Sequence, residues 1–167
     1  SANERAAIET IAQQAMHDVA ALMPDLPENV TVTVSTVERD LSMVGGVIGM
    51  ALRPGEVVTT ISTAYPGGVS AAADAALRSV LFHEFHHLAR GWTIEENQFG
   101  RGIDIAAVNE GLADVFRVQY TGVEHEMLAP PEDIEDWTAE VLALPRDADY
   151  CEWMNQHPDG REAVGYR

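Results

Sequence analysis

The sequence contains no lysine: its ten basic residues are all arginine, and they face 27 acidic residues, which gives a formal net charge of -17. Proteins that bind nucleic acid or lie on anionic lipid need a basic face, so we expect neither kind of partner. No apolar run approaches the roughly 18 residues that a membrane-spanning helix requires. The single cysteine, Cys151, excludes an internal disulfide framework, and we expect it to be an inert buried thiol.

Apolar residues, by contrast, make up 46% of the 167 residues, which is too many for a disordered acidic chain. At this length a second independent core would be cramped, and so we expect one domain over residues 1–167. The chain stops just after a stretch that could open a helix, so we expect further residues beyond Arg167. A soluble protein is expected, with the cytoplasm favoured over an exported form whose signal has been removed.

Apolar periodicity predicts one helix, then three strands, then further helices, an order that is typical of an α+β domain. The first helix is predicted over about residues 3–23 and ends before Pro24. Short runs rich in valine, isoleucine and threonine predict the three strands, over residues 30–37, 47–52 and 57–62.

The next predicted helix begins after Ser70, a typical N-cap residue, and runs to about Arg90, with Gly91 following its last turn. Its first half is apolar nearly all the way round, so we expect it to lie inside the domain. Another helix is predicted over roughly residues 104–120, and two or three short helices are predicted after Pro130.

The second half of the interior helix carries HEFHH at residues 83–87, which matches the pattern HExxH. Residues four apart lie on one face of a helix, so His83 and His87 can present two ring nitrogens to one metal ion. Glu84 can then reach a water molecule without ligating the metal. A histidine-rich surface turn is the alternative, but the flanking helix is apolar and an unliganded buried histidine pair would be costly.

A catalytic zinc site needs a third protein ligand and one open position. Enzymes with three ligand histidines carry the third at the position of Thr93, so that class is excluded. Glu110, which follows His87 by 23 residues, leaves room for a loop and a returning helix and is the leading candidate. Asp104 is the alternative third ligand.

Asp114 lies one helical turn beyond Glu110, where it could accept a hydrogen bond from the far nitrogen of a ligand histidine. Gly111, between them, would let this helix approach the metal helix closely. The alternative for the two acids is an ordinary solvated face, with Asp114 paired to Arg117 three residues later.

The two motifs, HEFHH at 83–87 and NEGLAD at 109–114, together resemble the gluzincin clan of zinc metallopeptidases, whose thermolysin-like members carry HExxH and then NExxxD. With Trp153 and the final GYR at 165–167, they are similar to a bacterial family of predicted zinc-dependent proteases of unknown substrate. This similarity covers about the last half of the chain. Because the chain is far shorter than thermolysin-like enzymes, the resemblance implies a minimal zincin-like domain.

The resemblance implies Zn2+ as the cofactor and hydrolysis of a peptide bond by a water molecule that zinc binds and Glu84 deprotonates. A donor from the C-terminal part would stabilise the oxyanion, and Tyr166 and His157 are the candidates, with Tyr150 behind them. In related enzymes the substrate peptide lies along an edge strand, and either 47–52 or 57–62 could be that strand.

Two functions stay open beside a zinc metallopeptidase: a zinc-binding module without catalysis, such as an inhibitor or regulatory subunit, and a zinc hydrolase of a non-peptide amide. Glu84 favours the two enzymes, because zinc binding alone does not require it. Twelve acidic residues and three arginines lie after residue 121, so we expect a cationic peptide or protein substrate. No pattern indicates an oligomeric state.

Overall fold

A computed structural model describes residues 1–98, 102–124 and 130–155. Over these residues the chain has an α+β fold in which helices pack on a small three-stranded sheet, as the order of the sequence patterns predicts. None of the described helices is both long enough and apolar enough to cross a membrane. One domain over residues 1–167 stays a prediction.

The first helix, α1, spans Ala2–Leu22, close to its predicted bounds. Ser1 caps the start of α1 through two reciprocal hydrogen bonds. The serine hydroxyl accepts one from the backbone N–H of Glu4, and the Glu4 carboxylate accepts one from the N-terminal ammonium group. Such a cap satisfies backbone groups that the first turn leaves unpaired. Ala15 and Val19 are fully buried where α1 packs on the interior helix.

The sheet consists of β1 (Thr31–Val37), β2 (Val47–Arg53) and β3 (Glu56–Ser62), in the order β1-β3-β2. All three lie within one residue of their predicted bounds. β2 and β3 form an antiparallel hairpin, whereas β1 runs parallel to β3. The central strand is therefore β3, and β2 is an edge strand that faces the functional cleft described below.

One long helical segment follows the sheet and forms the centre of the fold. It comprises α2 (Gly68–Ala72), a π-helical turn (Ala73–Leu77) and α3 (Arg78–Ala89). The predicted N-cap at Ser70 is wrong by three residues, because Gly67 adopts φ +89° and caps the helix there. The predicted interior position is confirmed for residues 79–88, which are all buried among α1, β2 and the next helix, whereas Asp74 and Ala75 in the apolar first half are exposed.

The next helix, α4, spans Ile103–Thr121 and packs against α3. It ends at Gly122, whose φ of +68° is a left-handed conformation that glycine adopts at little cost. Beyond it lie α5 (Ile134–Leu142) and a π-helical turn (Cys151–Asn155), which agrees with the predicted short helices. Cys151 itself is exposed, so the prediction of a buried thiol is wrong.

Candidate metal centre

The interface between α3 and α4 brings three potential ligand atoms together. His83 and His87, one turn apart on α3, place their Nε2 atoms 3.0 Å from each other. Glu110 approaches from α4, and its Oε2 atom lies 3.2 Å from His83 Nε2 and 3.3 Å from His87 Nε2. All three residues are buried. Among the described residues, they are the group of three that could hold a metal ion.

The size and chemistry of this triangle fit zinc. Two imidazoles and one carboxylate are a common protein ligand set for catalytic zinc, which leaves one coordination position open. Bonds of about 2.0–2.1 Å in tetrahedral geometry would separate neighbouring ligand atoms by about 3.3 Å. The observed separations of 3.0–3.3 Å are close to this value.

The far side of His83 is held by α4 as well. Its Nδ1 donates to Asp114 Oδ1 at 2.9 Å, which directs Nε2 towards the triangle. Burial opposes a charge on His83, but Asp114 and Glu110 outweigh it and raise the pKa of His83 to about 10. Burial also disfavours the charged form of Glu110, which by itself would raise its pKa. The contacts of Glu110 with His83 and His87 lower that pKa by more, so the pKa of Glu110 lies below its usual range.

Glu84 lies beside the triangle rather than in it. The backbone N–H of Ala51 on β2 donates to Glu84 Oε2 at 2.7 Å, and the glutamate is only 6% exposed. Burial raises the pKa of Glu84 above its usual range, although the two neighbouring histidines act in the opposite direction. The carboxylate is thus fixed, shielded and more basic than an exposed glutamate.

Glycine at position 49 permits this close approach of β2 to α3. A Cβ atom at Gly49 would lie 2.6 Å from Val80 Cγ1 and 2.7 Å from Glu84 Cγ, both well inside van der Waals contact. The expected close approach at Gly111 is wrong, because a Cβ there would meet nothing within 4 Å. The glycine that brings two elements together is in the edge strand, not in α4.

A cleft of about 150 Å³ opens beside the triangle. The cleft is lined by the triangle residues His83, His87 and Glu110, by Glu84, and by six uncharged residues: Gly49, Met50, Ala51, Trp92, Ile94 and Tyr150. Tyr150 is the one oxyanion-donor candidate that the structure describes, and it lies in the cleft wall. His157 and Tyr166, the other two candidates, lie outside the described residues.

Asp104 and His86 both lie outside the triangle of ligand atoms. Asp104, the alternative third ligand, lies 3.4 Å from Arg146 Nη1 and is not part of the grouped triad. His86 is buried against Phe116, with ring centroids 5.2 Å apart. Burial lowers the pKa of His86 to about 4, and His87 and Arg90 act in the same direction, so the ring is neutral at pH 7.

Three contributors to this site were not identified from the sequence. Ala51 acts through its backbone N–H, which no residue type reveals. Arg117 was considered only as a surface partner of Asp114, yet it is 7% exposed and lies against Asp114, which contacts His83. Gly49 did carry a signal, because a lone glycine inside a predicted strand often marks a close backbone approach.

Comparison with known proteins identifies the family. Residues 8–151 match the family described as Predicted Zn-dependent protease (DUF2268). This match begins in α1 and is wider than the resemblance found by motif, although Trp153 and residues 165–167 lie beyond it. No curated protein and no solved structure shows a significant match. The zinc dependence in the family's description agrees with the buried group of two histidines and a glutamate, and the chain belongs to this family of predicted zinc-dependent proteases.

Proposed function

We propose that the chain is a minimal gluzincin-type metallopeptidase, in which His83, His87 and Glu110 hold zinc and Glu84 is the general base. The observation that carries this proposal is the convergence of three buried ligand atoms within 3.0–3.3 Å of one another. Glu84 lines the same cleft without belonging to the triangle. A site that only stored zinc would not need this fourth buried side chain.

A bound zinc ion would polarise the scissile carbonyl and lower the pKa of a water molecule towards neutrality. Glu84 then accepts the proton of that water and delivers it to the leaving amine. Its raised pKa suits both steps, because a general acid-base works best when its pKa lies near the working pH. The hydrogen bond from Ala51 keeps one carboxylate oxygen in place during this transfer.

Strand β2 is the proposed platform for the substrate peptide. β3 was the other sequence candidate, and it is excluded because it is central and pairs on both sides. The Ala51 N–H points towards Glu84 rather than towards β3, so the outer edge of β2 faces the cleft. An extended peptide could add there as an antiparallel strand, with its scissile bond beside the triangle.

The oxyanion donor is proposed to come from the C-terminal part of the chain. Tyr150 lines the cleft, which supports a hydroxyl donor from this region. His157 and Tyr166 stay candidates from the sequence. Replacing each of the three with an isosteric or smaller residue and measuring kcat would separate them, because loss of one donor to an oxyanion typically costs about 100-fold or more.

The proposal is tested with a peptide library on metal-free protein, on the same protein after addition of one equivalent of zinc, and on zinc-loaded protein treated with a chelator. We expect cleavage only in the second sample. Cleavage that persists in metal-free or chelator-treated protein would contradict the proposal. Stoichiometric zinc without cleavage of any peptide, while amides of other kinds are hydrolysed, would instead favour the non-peptide alternative.

A further inference from the structure

Arg117 occupies a position where the pattern of α4 calls for an apolar residue. The buried residues of this helix recur at intervals of three and four, which is the spacing of a single packed face: Ile103, Ala106, Glu110, Ala113 and Arg117. The Arg117 side chain is only 8% exposed. A buried guanidinium is costly unless a carboxylate compensates its charge. Arginine at this position therefore needs a reason other than packing.

The compensating carboxylate is the one that orients His83. Arg117 Nε lies 2.9 Å from Asp114 Oδ1, the same oxygen that accepts from His83 Nδ1 at 2.9 Å. The Nε–H is not aligned for a hydrogen bond, so the contact is an ion pair that acts through charge. Within the part of the chain that the structure describes, Asp114 is the acid that pairs with Arg117.

The charges of the metal centre balance only when Arg117 is counted. Glu84, Glu110 and Asp114 together carry three negative charges in a buried region when they are ionised. A zinc ion supplies two positive charges, and the guanidinium supplies the third. Without Arg117, the imidazole N–H of a zinc-bound His83 would be the one partner left to Asp114 among the described residues.

We propose that Arg117 is a positioning residue for the metal centre: its ion pair with Asp114 holds that carboxylate in place, so that Asp114 fixes the ring of His83 for zinc. This inference rests on the proposed zinc site but not on peptidase activity. Arg117 belongs neither to the group of ligand residues nor to the residues that line the cleft, and its described contact with the site is the ion pair with Asp114. Its effect on zinc must therefore pass through Asp114.

The first test is the zinc dissociation constant, measured by competition with a chromophoric chelator on Arg117→Met and Arg117→Lys. Partners of ligand histidines usually contribute 10- to 100-fold in metal affinity, so we expect Arg117→Met to weaken zinc binding about 10-fold or more. Arg117→Lys keeps the charge and should stay within about threefold of the parent, since the observed contact is an ion pair.

Arg78→Met is the matched control. Arg78 forms an ion pair of the same length, 2.9 Å, with Asp18 on α1, and its guanidinium lies over the ring of Phe82. Its removal should lower the thermal unfolding midpoint of the metal-free protein without changing zinc affinity. If Arg117→Met lowers the thermal unfolding midpoint but leaves zinc affinity at the parent value, the role of Arg117 is purely structural and the inference is overturned.

The decisive step is a double-mutant cycle with Asp114→Asn. If Arg117 acts through Asp114, adding Arg117→Met to Asp114→Asn should change zinc affinity less than about twofold. The double variant also removes both charges of the buried pair, so it should be less destabilised than a single variant that leaves one buried charge unpaired, and it keeps the test available if a single variant folds poorly. An equal loss from Arg117→Met in both backgrounds overturns the inference. A parent protein that binds no zinc overturns the proposed function as well.

Discussion

At the scale of single residues, two side chains of the HExxH motif are each held in place by a group that lies outside that motif. His83 is held by Asp114, and Glu84 by the backbone of Ala51. The spacing of HExxH was sufficient to predict that His83 and His87 share one helical face, because the period of a helix fixes that geometry. It could not reveal Ala51, because a backbone donor depends on tertiary contact rather than residue type.

Removal of Glu110 tests the ligand that comes from α4. We expect Glu110→Ala to weaken zinc retention strongly, because only two protein ligands would be left where catalytic sites use three. The measurement is zinc content after dialysis, with Asp104→Ala as the control that should retain zinc. If Glu110→Ala retains zinc as the parent does and Asp104→Ala loses it, the third ligand is Asp104.

Zinc affinity should depend on pH through His83. The pKa of His83 is raised to about 10 in the metal-free chain, so the ring carries a proton at neutral pH. Zinc must displace that proton to reach Nε2, and its apparent affinity should therefore rise about tenfold per pH unit up to that pKa. The competition titration at pH 6.5, 7.5 and 8.5 measures this slope. A flat profile would mean that His83 is already neutral.

At the scale of elements, the metal centre depends on two packing contacts of α3: one with α4, which brings Glu110 and Asp114, and one with the edge strand β2. Periodicity predicted both helices and all three strands to within a few residues, because alternation and helical spacing are local properties. The order of the strands within a sheet, by contrast, depends on contacts between residues that are far apart in the sequence. The central place of β3 follows from a parallel pairing with β1 that no spacing along the chain discloses.

Gly49→Ala tests the contact between β2 and α3. The added Cβ would meet Val80 and Glu84 at 2.6–2.7 Å, so α3 or β2 must shift. Overpacking of this kind typically costs about 1–3 kcal/mol of unfolding free energy. We also expect kcat to fall, because the added Cβ would press on the side chain of Glu84, the proposed general base. Chemical denaturation and steady-state kinetics check the two effects.

Gly111→Ala is the matched control for that substitution. The added Cβ on α4 meets nothing within 4 Å, and alanine is the better helix former by about 0.5–1 kcal/mol. This variant should therefore be as stable as the parent or slightly more so, with unchanged kcat. Equal behaviour of the two variants would show that the contact at Gly49 does not restrict Glu84.

At the scale of the whole molecule, the net charge of -17 is distributed unevenly. Apart from Glu84 and the three proposed ligands His83, His87 and Glu110, the described residues that line the cleft are uncharged. Any attraction of cationic substrates must then act at long range, from acids outside the cleft. Composition alone was sufficient to predict that the electrostatic field around the protein is negative. It could not predict that the cleft lining is mostly uncharged, because that depends on which residues the fold brings together.

Salt dependence tests this long-range attraction. We expect kcat/KM for a cationic peptide to fall several-fold between low and physiological ionic strength, because the Debye length shortens to about 8 Å at 0.15 M. A neutral peptide cleaved at the same bond is the control and should show little change. Equal salt dependence of the two peptides would contradict electrostatic steering.

The most direct test of the account is turnover by Glu84→Gln compared with the parent, at equal and verified zinc content. Glutamine preserves the shape of Glu84 and an oxygen that can accept from Ala51, but it cannot take up a proton. We predict one zinc per chain in both proteins and loss of peptide hydrolysis by about 100-fold or more in the variant. Full turnover by zinc-loaded Glu84→Gln would contradict the assignment of Glu84 as general base.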